Sequence, residues 1–210
     1  MTRVGHAMAL VVLLGVVWPA AGSAQGLGGL GHVNVGQIRF AAKESFETVV
    51  GTAAKNNVTA GGEVTGIWRG IFAGVAVTQQ TLQGQRVFVH QNEVFPLGIS
   101  TTIEVRPIDI AGGWRFQFGR LLPYAGAGAS FLSYKERSDF AEPGENVDEA
   151  RTGTVYLAGI DVQVIRFVRA GFELRYRDID GVLGSDGVSA VYGENKLGGL
   201  ALAARFSVGR

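Results

Sequence analysis

The densest run of chemically capable side chains in this sequence lies between Val168 and Asp178. Arg169, Glu173, Arg175 and Arg177 share one phase of a two-residue repeat, while Val168, Ala170, Phe172, Leu174 and Tyr176 share the other. Groups spaced by two lie on one face of an extended strand. Side chains of mixed sign on such a face can neutralise one another in ion pairs or line a path for ions. Further members fall on other strand-like segments: Arg205, Asp161 with Gln163, and Asp109 with Arg115 and Gln117. The expected constellation is Asp109, Arg115, Asp161, Arg169, Glu173, Arg175, Arg177 and Arg205. So many charges are tolerated away from water only if they pair, and their signs are mixed enough for that. The expectation is a plug of ion pairs and hydrogen bonds; the alternative is a narrow pore with an arginine-rich throat.

Other chemistry is sparse. Beyond residue 24 the histidines are His32 and His90, and the chain has no Cys. Thiol catalysis, disulfides and Cys-based metal sites are excluded, and no zinc site or other cofactor is expected. His90 lies in the segment Gln83–Pro96 beside Glu93, with Ser100 nearby, but no motif fixes their spacing and no catalysis is expected. Gly126-x-Gly128 precedes no helix and is not a nucleotide loop. Asp139, Glu142, Glu145, Asp148 and Glu149 form an acidic run that reads as a solvated loop.

Eight strand-like segments would position these residues: about His32–Ala42, Asn57–Trp68, Arg69–Gln79, Ser100–Phe118, Leu122–Lys135, Gly153–Val164, Val168–Asp178 and Lys196–Gly209. In the first, the alternation slips between Gly36 and Ile38. In the fourth, Ile103 and Val105 set one phase, and Ile108, Ile110, Trp114, Phe116 and Phe118 set the other. Pro107 stands at that switch and cannot donate to a ladder, so a bulge is expected there. The connections alternate: long polar loops at 43–56, 80–99, 136–152 and 179–195, and tight turns near Trp68-Arg69, Gly119-Arg120-Leu121 and Ile165-Arg166-Phe167. Aromatic residues mark strand ends at Trp68, Phe116, Phe118, Tyr124, Tyr134, Tyr176 and Phe206, the pattern of an interfacial girdle.

The N-terminus reads as an export signal. Arg3 precedes the apolar run Ala7–Val17, and small residues follow up to a cleavage point expected after Ala24. The domains expected are therefore a signal peptide over 1–24 and one barrel domain over 25–210. Of the 210 residues, removing the first 24 takes away one Arg and no acid, leaving 18 basic and 18 acidic side chains. That balance lacks the basic excess of a nucleic-acid binder. No later apolar run is long enough for a spanning helix, so a membrane form must be a closed barrel. One apolar and one charged face per strand fit a barrel in lipid, with both ends of the chain on the tight-turn side. The fold class expected is all-β, an eight-stranded antiparallel up-and-down transmembrane barrel behind a signal peptide. A soluble lipocalin-like barrel, with the charges outside and a lipid cavity inside, is the alternative.

Three segments carry a resemblance. Leu122-Pro123-Tyr124-Ala125-Gly126-Ala127-Gly128-Ala129 is similar to the Pro-Tyr-x-Gly-x-Gly strand of the eight-stranded OmpA/OmpX-like outer-membrane barrels. Phe172–Arg177 resembles their penultimate strand, and Lys196-Leu197-Gly198-Gly199 the entry to the final one. The resemblance implies the fold and a place in the cell outer membrane, and no particular ligand. With the strand and loop pattern, the expectation is a monomer with a structural or surface-interaction role, whose partners are lipid, lipopolysaccharide and the outer-membrane assembly machinery, and no nucleic acid. The acidic run could then hold a divalent cation between lipopolysaccharide heads. Such barrels commonly end in an aromatic residue, whereas here Phe206 is followed by Ser207-Val208-Gly209-Arg210.

Overall fold

Strict alternation and β-branched residues favour extended chain throughout most of this sequence. A computed structural model describes residues 27–51, 57–91, 93–141, 146–183 and 187–210, so the expected signal peptide lies outside the described residues. The strands are β1 (Leu27–Phe40), β2 (Val58–Trp68), β3 (Ile71–His90), β4 (Glu93–Arg115), β5 (Leu121–Ser138), β6 (Val147–Ile165), β7 (Val168–Asp178) and β8 (Gly199–Gly209). Each pairs antiparallel with its sequence neighbours, and β8 returns to β1, closing the barrel. The tight turns are short for a reason visible in the backbone. Arg69 and Gly70 both have positive φ (51° and 86°), as a two-residue hairpin turn requires.

Several boundaries differ from expectation. Residues 80–99 are not a loop but the upper part of a β3–β4 hairpin, with Phe88 opposite Phe95 and Val89 opposite Val94. The β-forming residues of this stretch make their own cross-strand pairs beyond the barrel wall. Likewise β5 and β6 extend into the expected loop 136–152, with Lys135 opposite Asp148. The loops 43–56 and 179–195 contain two short helices, α1 (Lys43–Val50) and α2 (Gly187–Tyr192). α1 has no capping side chain of its own. Glu194 supplies the cap from across the barrel mouth, accepting from the backbone N–H of Glu44 (3.0 Å) and Ser45 (2.8 Å) and from the Ser45 hydroxyl (2.6 Å).

The bulge expected at Pro107 is absent. The β4–β5 pairing runs unbroken from Thr101–Ser138 to Arg115–Tyr124. The β3–β4 register is also the same on both sides of Pro107, with Val77 opposite Ile108 and Gln80 opposite Val105. Thr101, Ile103, Val105, Pro107 and Asp109 all point inward in one phase. The irregularity of that pairing lies instead between Gln85 and Val87. β1 keeps one phase too: Leu30, His32, Ile38 and Phe40 are buried inside, while Val33, Val35, Gln37 and Arg39 face out.

Both apparent slips share a cause. The interior is polar over most of its height but apolar at the loop end. There Ile38, Phe40, Leu82, Ile103, Val105, Leu132 and Tyr134 pack with Phe46 and Val50 of α1 and with Ile179 and Leu197. The Phe40 and Phe46 rings stack at 4.1 Å between centroids. At the level where the inner row becomes apolar, the outer row becomes polar, with Gln37, Arg39, Gln79, Thr81 and Arg106 exposed.

Candidate functional site

The polar interior is built from the inward phases of all the strands. β7 contributes Arg169, Glu173, Arg175 and Arg177; β2, β4, β6 and β8 contribute Glu63, Asp109, Asp161 and Arg205. Glu63, Asp109, Asp161, Glu173, Arg175, Arg177 and Arg205 are all buried. Arg175 is the hub. One of its terminal nitrogens donates to both Glu63 (2.8 Å) and Glu173 (2.7 Å), and the other to Asp109 (2.8 Å). Asp109 also accepts from Arg177 (2.7 Å) and from the Ser130 hydroxyl (2.6 Å). Arg205 closes the lattice on the other side, donating to Glu63 (2.9 Å), Glu173 (2.8 Å) and the Tyr124 hydroxyl (2.6 Å). Charge-assisted bonds of this length are the strong kind, and here they replace an apolar core.

A histidine sits inside this lattice. Arg205 Nε donates to His32 Nδ1 at 2.9 Å. A guanidinium has only donors, so Nδ1 must accept, and the ring proton resides on Nε2. Nε2 lies 3.1 Å from the Thr65 hydroxyl, which donates to Glu63 at 2.8 Å. The chain Arg205–His32–Thr65–Glu63 therefore has one direction throughout, and the Ser207 hydroxyl lies 2.6 Å from the same Nδ1.

Toward the tight-turn end, Arg115 is ion-paired to the fully buried Asp161. The guanidinium carbons of Arg115 and Arg205 lie 5.4 and 5.1 Å from the centroid of the Tyr124 ring. Glycine makes this possible at one decisive place: a Cβ on Gly159 would collide with the Tyr124 phenol. Arg169 shares this end but is only half-buried, and its Nε and one terminal nitrogen make no hydrogen bond.

Of the eight residues singled out from sequence, seven are thus engaged in ion pairs inside the barrel and Arg169 is not. Sequence reading missed Glu63, His32, Thr65, Ser130 and Tyr124 as members. Glu63 and Thr65 were legible, since they share the inward phase of β2 with Thr59. Tyr124 and Tyr134 were expected in an outer girdle; both point inward and are buried, because the odd–even phase of β5 puts them there with Leu122 and Leu132. The remaining girdle residues, Trp68, Phe116, Phe118, Tyr176 and Phe206, do face outward. The grouping of His90 with Glu93 and Ser100 does not assemble. His90 pairs with Glu93 at the hairpin tip, but Ser100 pairs with Gln85, five residues or about 16 Å down the strand. In the acidic run, Asp148 pairs with Lys135 (2.7 Å) and Glu149 with Arg151 (2.9 Å), while Glu142 and Glu145 lie outside the described residues. Among the described residues no three His, Cys, Asp or Glu side chains converge on a metal-sized site.

The outer surface inverts the interior. Val33, Val64, Val75, Ile110, Phe172, Leu174, Leu202 and Val208 are each about half exposed and face away from the barrel axis. The outward apolar rows of β6, β7 and β8 run Tyr156–Val164, Val168–Tyr176 and Leu200–Val208. Nine residues at ~3.3 Å rise and ~40° tilt cover roughly 23 Å, close to the ~25 Å apolar band of a membrane barrel. Charges inside and an apolar belt outside are the reverse of the soluble lipocalin-like arrangement.

Solved structures share this architecture. The N-terminal β-barrel domain of Pseudomonas aeruginosa OprF superposes with a TM-score of 0.51 at 10% identity, covering 89% of this chain and 100% of that one. Neisserial surface protein A gives 0.52 at 12% identity over 89% and 99%. A major outer membrane protein of Thermus thermophilus gives 0.50 at 10% identity over 87% and 100%. The fold is that of the eight-stranded outer-membrane barrels. No known family profile matches the sequence, and no curated protein matches it.

Proposed function

We propose that this protein is exported through a cleaved signal peptide over residues 1–24 and resides in the outer membrane as a monomeric barrel, residues 25–210. Its role is structural or surface-interacting, without catalysis. The observation that carries the reading is the two-solvent construction of each strand: an apolar belt about as tall as a bilayer core, wrapped around an interior of paired charges. The network of Asp109, Arg115, Asp161, Glu173, Arg175, Arg177 and Arg205, with Glu63 and His32, serves as a plug that holds the wall together, and Arg169 stands beside it at the tight-turn end.

A conducting lumen is the alternative, and two features weigh against it. The lattice around Arg175 spans the interior, and the apolar cap closes its loop end. The space between the two, lined by Gln80, Thr78, Pro107 and Arg177, is a cavity of about 10 Å³, room for a single water. The partners are outer-membrane lipid and lipopolysaccharide around the belt, and the assembly machinery during insertion. The outer contacts fall to α1, the β3–β4 hairpin, the β5–β6 connection and the α2 loop. Fractionation of cells, followed by electrophoresis with and without boiling, tests the reading. An outer-membrane protein whose unboiled band migrates faster supports it; a protein free in the periplasm overturns it.

A further inference from the structure

We infer that the loop end of the barrel holds a ligand site for an organic cation with an apolar body. A cavity of about 460 Å³ lies there between α1, α2, the β3–β4 hairpin and the upper parts of β5 and β6. Pockets that take small molecules are typically ~300–1,000 Å³, mostly apolar, with a few placed polar groups. This one has the volume, with polar and apolar surface in about equal share, the apolar part gathered at its floor and walls. Phe46, Ile103 and Tyr134 form its floor and belong to the buried apolar cap. Val49, Val87, Leu183 and Val188 wall it.

Its lining carries one carboxylate that no cation neutralises. Glu149 is paired with Arg151, while Glu136 makes no ion pair among the described residues. Glu136 is positioned for a ligand: it continues the inward row Leu132, Tyr134, Glu136 up β5, and the Tyr134 hydroxyl donates to one of its oxygens at 3.1 Å. That bond fixes the carboxylate over the apolar floor, where a cationic head above an apolar body would meet it. The walls are held before any ligand arrives. Glu194 ties the α2 loop to the start of α1, and the hydroxyls of Thr48 and Tyr192 lie 3.3 Å apart. A preformed site loses less ordering entropy on binding.

That the cavity faces the exterior of the cell rests on the outer-membrane reading above; that it binds does not. The protein is refolded into phosphatidylcholine nanodiscs, and dansylcadaverine, an apolar fluorophore with a primary amine, is titrated against it. Empty nanodiscs correct for partition into lipid, and dansylglycine, the same fluorophore on a carboxylate, is the charge control. The expected result is saturable binding of dansylcadaverine over dansylglycine, weakened about tenfold in Glu136→Gln. Binding is lost in Val188→Trp and in Val87→Trp, each of which fills the cavity from a different wall. Gel migration without boiling verifies that each variant retains its barrel. Absence of saturable binding to a folded barrel overturns the inference. So does equal binding of the two dyes, or undiminished binding in the filled variants. A protein that fails to enter nanodiscs at all overturns the outer-membrane reading instead.

Discussion

Arg175→Ala tests whether the interior charges hold the barrel together. The side chain makes three charge-assisted contacts at 2.7–2.8 Å, one each to Glu63, Asp109 and Glu173. None of these carboxylates is orphaned by its loss. Glu63 keeps Arg205 and Thr65, Glu173 keeps Arg205 and Tyr124, and Asp109 keeps Arg177 and Ser130. The cost is therefore below the sum of three such bonds at ~1.5–3 kcal/mol each. It falls near the ~3–5 kcal/mol seen when one partner of a buried pair is removed. The assay is urea unfolding of the refolded protein in lipid vesicles. Trp68 and Trp114, both outward-facing near the tight-turn end, report it by fluorescence. A destabilisation of about 3 kcal/mol with an unchanged denaturant slope is expected. In Arg175→Met combined with Glu63→Gln, part of that loss is recovered, because one charge of each sign leaves together. A cost under ~1 kcal/mol, the range of exposed pairs, would refute the reasoning. In planar bilayers the wild-type protein stays silent; a steady conductance that changes selectivity in Arg175→Ala would replace the plug by a pore.

The belt and the space around the lattice give further outcomes. Ile110→Arg, on the lipid-facing row of β4, is expected to cost ~2–4 kcal/mol, whereas Thr81→Arg, above the level where the outer row turns polar, costs less than ~1 kcal/mol in the same unfolding assay. Gly159→Ala forces Tyr124 off the wall of β6 and is expected to cost ~1–3 kcal/mol, with partial relief in Gly159→Ala plus Tyr124→Phe. Replacing residues 86–99 by Asn-Gly joins Gln85 to its partner Ser100 through a two-residue turn. That variant keeps the heat-dependent gel shift of the closed barrel, because the excised hairpin lies beyond the pairing of β3 with β2 and of β4 with β5; loss of the shift would show that the hairpin is part of the wall.

The strand count, the charges of β7 and the tight turns were legible because each rests on local information: a period of two, or a residue that tolerates positive φ. The upper hairpin was not. Gln83, Gln85, Arg86, His90 and Glu93 make 80–99 look like a polar loop. Those polar groups are compatible with strand because a two-stranded ribbon in water has no dry face to satisfy. The helices were missed for a related reason. α1 has eight residues and no capping signal, and its cap is Glu194, far along the chain. A cap from that distance leaves no trace at the helix itself.

The misplaced bulge at Pro107 has a more general origin. A strand that crosses a bilayer between a polar interior and lipid has its apolar phase outward. Past the bilayer surface the outside becomes water, and the same strand can bury its inward row against a small dry core. The apolar phase must then switch while the backbone keeps its register. β4 does this between Val105 and Ile108, and β1 between Val35 and Ile38. β3 does it between Val77 and Leu82, and β5 between Phe131 and Leu132. On β4 and β5 the first polar outward residues, Arg106 and Ser133, are directly paired. A bulge would shift the register on one strand alone, but four strands change phase and the registers across them stay unchanged at that level. The switch is therefore set by the surroundings of the barrel rather than by its backbone, and it draws the upper edge of the apolar belt.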